Sequence, residues 1–182
     1  MPIRIGQRPD HGFDEPLGLL SDCHRRIEHF LKVLVLVTDH GGGRALADGE
    51  RQALEGALAY FATAAPRHTA DEENSLFPRL RASGDAAAHA SLRVLERLER
   101  DHAEAETDHH RIDALVRRWI AEGRLAQQDV TELRTRLDAL QTMYERHIAV
   151  EDRELFPEAG RTLSADDLQE IGREMAARRR QT

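Results

Sequence analysis

One pattern occurs twice in this chain. A histidine, a glutamate four positions on and a Leu-Phe-Pro triplet fall in register at His68, Glu72, Leu76, Phe77 and Pro78, and again at His147, Glu151, Leu155, Phe156 and Pro157. Each copy is preceded by a further histidine just after an aspartate, in Asp22-Cys23-His24 and in Asp101-His102. His24 and His68 are 44 positions apart, and His102 and His147 are 45 apart. A repeat of this length with a conserved interval describes one supersecondary unit used twice. The chain therefore reads as two helical hairpins packed about a pseudo-twofold axis.

The helical reading comes from periodicity. Leu17, Leu20, Ile27, Phe30, Leu31, Leu34 and Val37 recur at helical spacing behind Pro16, which predicts a first helix from about Pro16 to about His40. Gly41, Gly42 and Gly43 end it. A second helix is expected from about Ala47 to Arg81, kinked at Pro66 and closed by Ser83 and Gly84. Asp85 caps a third that reaches Glu122 and stops at Gly123. A fourth spans roughly Asp129 to Phe156, with the Leu-Phe-Pro triplets ending both histidine-bearing helices and plugging the bundle end. Ser164 with Asp167 resembles a capping box, so a short fifth helix is expected over Ala165 to Arg178. At 182 residues with 32% charged and 4% aromatic side chains, the chain suits one all-α domain rather than a sandwich or barrel.

Residues four apart on a helix share a face, so His68 with Glu72 and His147 with Glu151 each aim a nitrogen and a carboxylate at one point. His102 and His147 lie roughly 30 Å and 27 Å from their shared turn at 1.5 Å per residue, nearly one level. His24 and His68 match more loosely, at roughly 24 Å and 31 Å. Leu20, Ile27, Leu31, Leu95, Leu98 and Tyr144, at helical spacings from these histidines, mark the inward stripe. Six ionisable groups aimed into a core need a partner, and a metal supplies one. Imidazole and carboxylate without thiolate favour iron or manganese over structural zinc or copper(I). Four histidines and two glutamates are too many for one ion and suit two. If each glutamate bridges, each ion receives two nitrogens and two oxygens and keeps an open position.

The order H … H-x-x-x-E … H … H-x-x-x-E across four helices resembles the hemerythrin-like (HHE cation-binding) family, over about residues 16 to 160. The resemblance implies an antiparallel up-down four-helix bundle with an additional short C-terminal helix. It divides the chain into an N-terminal extension (1–15), the bundle (16–160), and a C-terminal helix and tail (161–182). It also implies two iron ions in an oxo- or hydroxo-bridged centre, with ligands at His24, His68, Glu72, His102, His147 and Glu151. Oxygen-carrying members use a fifth histidine four positions after the one on the third helix, where this chain has Glu106. They also place the last carboxylate five positions after its histidine, which selects Asp152, whereas the repeat selects Glu151. The four-histidine, two-glutamate set is similar to that of bacterial proteins implicated in repair of iron-sulfur centres under nitrosative stress.

Other residues carry weaker expectations. Glu28 and Glu106, four after His24 and His102, suit either supporting acceptors or exposed charges. His109 lies about 10 Å further along the axis than His102, too far for the same ion, and reads as a surface residue more readily than as the wall of an access path. His11, His29, His40, His89 and His110 read as solvated, Cys23 as packing, Tyr144 as core, and Arg178, Arg179 and Arg180 as a solvated helix end. A net charge of −7 argues against nucleic acid as partner. The lone cysteine fits a reducing cytosol, the acidic first thirty residues fit neither a secretory signal nor a transit peptide, and Phe30 to Val37 with Lys32 is far short of a membrane span. The leading expectation is a cytoplasmic protein that binds or senses a diatomic such as O2 or NO, or iron itself. The alternative is a non-haem di-iron enzyme acting on peroxide or nitric oxide, or in iron-centre repair.

Overall fold

The computed structural model describes residues 10–83 and 88–180, and all regular structure among them is helical. In chain order the elements are α1 (Pro16–Gly41), α2 (Asp48–Asp71), a π-helical turn (Glu72–Leu76), α3 (Phe77–Ala82), α4 (Ala88–Glu122), α5 (Gln127–Val150), a second π-helical turn (Glu151–Leu155), α6 (Phe156–Thr162) and α7 (Ala165–Arg180). Gly84, Asp85 and the side chain of His89 lie outside the described residues. Helix α1 packs on α2 and α5, α4 also packs on α2 and α5, and α7 lies against α1 and α2. No helix among the described residues is long and apolar enough to cross a membrane.

The glycine run works differently from the expectation. Gly41 remains helical, and a Cβ there would sit 2.5 Å from the Trp119 ring. Gly42 is the left-handed residue (φ 54°) whose N–H reaches back to the Thr38 carbonyl and closes the helix. The Ser164 and Asp167 side chains do bond each other's backbone N–H groups at the start of α7.

The Leu-Phe-Pro triplets correct the sequence reading, because they do not end their helices. Proline lacks an N–H and its ring clashes with the carbonyl four residues back. Here the backbone absorbs both by widening one turn: the N–H of Phe77 bonds the Glu72 carbonyl and that of Phe156 the Glu151 carbonyl, five residues apart. Helix then resumes to Ala82 and Thr162. Helix α2 also runs through Pro66 as α-helix, so the departure from α geometry comes after the histidine, at the glutamate itself.

Buried apolar residues fall into two clusters. One contains Ile27, Leu31, Ala65, Ala105, Trp119 and Tyr144, and the other contains Leu20, Leu76, Leu98, Phe156, Ile171 and Met175. Along α1 and α4 the chain leaves the second cluster, passes a histidine and enters the first; along α2 and α5 it crosses in the reverse order. A polar layer thus lies between two apolar ones.

Candidate metal centre

The polar layer is made of the six predicted side chains. His24, His68, Glu72, His147 and Glu151 are buried, and the His102 side chain nearly so. They form two groups, His24–His68–Glu72–Glu151 and Glu72–His102–His147–Glu151, whose ligand-type atoms lie within 4.8 Å of one another. Both glutamates belong to both groups. His24 Nε2 is 3.1 Å from Glu151 Oε2, and His147 Nε2 is 3.2 Å from the same oxygen. His68 Nε2 and His102 Nε2 each stand 3.4 Å from an oxygen of Glu72.

Among the described residues, neither the His24 Nε2 atom nor any of the four glutamate oxygens has a hydrogen-bond partner. Two carboxylates and their neighbouring imidazoles held this way would be costly unless a cation completed them. Three of the histidines are also oriented from behind. The Nδ1 atoms of His24, His102 and His147 lie 3.0 Å from Asp152, 2.8 Å from Glu73 and 3.4 Å from Asp101. A carboxylate behind an imidazole leaves the far nitrogen aimed at the layer and raises its basicity, as around bound metals. His68 Nδ1 has no such partner among the described residues, since Cys23 stands at the repeat position of Asp101. The residues present therefore fit a pair of cations sharing Glu72 and Glu151.

The electrostatics agree. Burial alone would discharge His24 and His102, but Asp152 and Glu151 around the first, and Glu72 and Glu73 around the second, outweigh it and push both up to about 10. Burial, reinforced by Glu151, raises Glu72 to about 7, whereas His147 and His24 overcome the burial of Glu151 and hold it well below the usual carboxylate range. Burial, reinforced by the neighbouring His24, pushes His68 the other way, well below the ordinary imidazole value, so the protons a cation would have to displace are those on His24 and His102.

The remaining expectations divide. Glu28 and Glu106 are exposed and belong to neither group. His109 is not a surface residue: it is largely buried, stacks on Phe61 at 4.3 Å and its Nε2 shares a hydrogen bond with the Tyr144 hydroxyl at 3.0 Å. His11 is not merely solvated either, since its backbone N–H and ring both meet the buried Asp22. His29 and His40 are exposed. Phe156 stacks on His24 and Phe77 lies parallel to His102, so the triplets cover the histidines as well as the bundle end. Arg178 and Arg179 correct the sequence reading most sharply: both grip the fully buried Asp71, the residue before Glu72. Sequence periodicity carried no sign of this clamp or of Asp101, Glu73 and Asp152 as supports, although Glu73 and Asp152 do share one register in the repeat.

The family model for the hemerythrin HHE cation binding domain matches residues 15–159. This chain belongs to that family. It is also similar to an uncharacterized protein of Haemophilus influenzae, 30% identical over 167 residues that cover 92% of this chain and 91% of the relative. Family membership and the His/Glu cluster together make this hemerythrin-like chain a metal-binding protein.

The spacing of the oxygen carriers would make Asp152 a ligand in place of Glu151. In this chain Asp152 is a third exposed and holds His24 Nδ1 and the Ser21 hydroxyl. Asp152→Ala is therefore expected to keep the metal stoichiometry and weaken affinity by about 10–100-fold, the usual range for such supports. Metal titration followed by elemental analysis checks this. Complete loss of one ion would show that Asp152 is a ligand.

Proposed function

We propose that this hemerythrin-like chain is a cytoplasmic protein with two iron ions in a bridged centre, which binds or senses oxygen, nitric oxide or iron. The observation that carries the reading is the sharing of Glu72 and Glu151 by two adjacent groups of four donors, with all four carboxylate oxygens unpartnered. His24, His68, Glu72 and Glu151 would hold one ion, and Glu72, His102, His147 and Glu151 the other. The alternating order in which α1, α2, α4 and α5 cross the two apolar clusters supports an antiparallel up-down bundle around this layer. The nitrogen and oxygen donor set without thiolate favours iron or manganese, and of the two the hemerythrin family favours iron. Bound iron supplies a redox-active site for a diatomic ligand. The chain's own part is to fix three of the four imidazoles, His24, His102 and His147, by carboxylates behind them, to keep the two glutamates dry, and to cover the layer with Phe77 and Phe156.

Where the oxygen carriers have a fifth histidine, Glu106 stands exposed at the rim of a cavity beside His102. A hydrophilic, acidic rim suits proton delivery rather than the dry enclosure that reversible oxygen carriage requires. Protein from iron-supplemented cells should hold near two irons per chain. Its reduced form should oxidise on mixing with O2 and change its visible spectrum with NO in stopped-flow absorption. One tightly held zinc per chain would defeat the di-iron reading, and a band that vanishes on degassing and returns on re-aeration would make the protein an oxygen carrier.

A further inference from the structure

A cavity of about 740 Å³ opens between α2 and α4 and ends at the metal layer. It is a cleft open to solvent along one side, where Ala62, Pro66, Asn74, Ala103 and Glu106 are exposed on its walls. Its origin is visible in the side chains: Ala62, Ala65 and Ala70 on α2 face Ala103 and Ala105 on α4, where larger residues would have closed the gap. The cavity shares Ala65, Thr69, His102 and Tyr144 with a space of only about 10 Å³ enclosed among the four histidines. A water's share of liquid volume is about 30 Å³ and a diatomic is of similar size, so transit of a gas does not account for the larger space. Its volume is that of a pocket for an organic molecule.

The walls select the occupant. Leu34, Leu58, Phe61 and Ile112 make the body apolar, and Phe61 with the stacked His109 ring forms an aromatic shelf. The deep polar groups are already satisfied: Tyr144 and His109 share a hydrogen bond at 3.0 Å, and burial depresses His109 to about 4, leaving it neutral. Toward the rim stand Glu73, Glu99, Glu106 and Asp113, against Arg117 and His110. Arg117 is taken by Asp113, Glu99 by Arg81 and Glu73 by His102, while Glu106 makes no ion pair among the described residues. The balance repels anions.

We propose that this cavity binds a small apolar organic molecule, aromatic in shape and without an anionic group, in the cleft that His102 lines. The binding stands on the cavity alone; its closeness to iron rests on the function proposed above. The probe is the neutral fluorophore N-phenyl-1-naphthylamine, titrated into metal-free and iron-loaded protein. Saturable binding at one per chain is expected, with displacement by 2-naphthol, displacement by 2-naphthoate at least about tenfold weaker, and quenching in the iron-loaded form. Ala62→Trp and Ala103→Trp, at exposed wall positions, fill the space and should each weaken the probe by about tenfold or more at unchanged iron content. Absence of saturable binding, equal competition by 2-naphthoate, or indifference to both tryptophans overturns the proposal. Probe binding blocked by the tryptophans in a protein that takes up no iron would uphold the pocket and defeat the di-iron reading instead.

Discussion

Glu72→Gln is expected to empty both metal positions rather than one, and Glu151→Gln to do the same. Each carboxylate belongs to both donor groups, so its loss removes an oxygen from each ion and leaves the two cations facing one another with half their compensating charge. A ligand confined to one group, such as His68, should behave differently: His68→Ala is expected to weaken one ion more than the other. The fold should survive the glutamate changes. Burial and the neighbouring Glu151 both oppose charge on Glu72, so the metal-free Glu72→Gln protein should melt no lower than metal-free wild type. Iron per chain by elemental analysis, beside calorimetry of the metal-free proteins, reads both effects. Retention of one full equivalent of iron in either variant would show that the glutamates do not bridge.

The double change Arg178→Ala with Arg179→Ala should cause the largest loss of stability among changes outside the ligand set. Asp71 is fully buried, and its two oxygens are held by Arg178 Nη1 at 2.8 Å and Arg179 Nη2 at 2.7 Å. The other arm of Arg178 reaches the Ser75 hydroxyl at 2.6 Å, and Arg79 and Glu174 complete the network around the same π turn. Stripping the partners from a buried carboxylate costs about 3–5 kcal/mol, and the partial exposure of both arginines puts the expectation at the lower end. At roughly 2–4 °C per kcal/mol for a chain of this size, the melting temperature should fall by about 6–12 °C. Adding Asp71→Asn to the double variant removes the stranded charge and should recover much of the loss. An unchanged melting temperature would show that the clamp is ornamental. Because Asp71 precedes Glu72, the double variant is also expected to bind metal more weakly.

Each half of the repeat carries its layer of histidine and glutamate, but only the first is clamped this way. The position equivalent to Asp71 in the second half is Val150, and among the described residues α7 has no counterpart after α3. The same divergence removes the support from His68, where Cys23 replaces an aspartate. The two donor groups therefore share their bridging carboxylates and differ in what stands behind them.

What the sequence determined by itself was everything with a local period. Helical spacing of apolar residues marked α1, the glycine stop marked the end of α4 at Glu122, and the Ser164–Asp167 cap marked the start of α7, all close to their observed limits, and the four-residue step from His68 to Glu72 and from His147 to Glu151 placed each pair on one face. The nearly equal intervals of the repeat, 44 and 45 positions, brought six side chains to one layer, because rise per residue converts sequence distance into height. The π turns were not legible, since proline's effect depends on whether the backbone stops or widens, and continued burial of Phe77 and Phe156 decides for widening. The tertiary structure alone decided the rest. Arg178 and Asp71 are 107 positions apart, His24 and Asp152 128 apart, and no period links such residues. The cavity between α2 and α4 is likewise a property of two facing surfaces, made where alanines on one helix happen to meet alanines on the other. Local propensity acts within a few residues of the chain, whereas a clamp, a support or a void exists only once separate helices have been brought side by side.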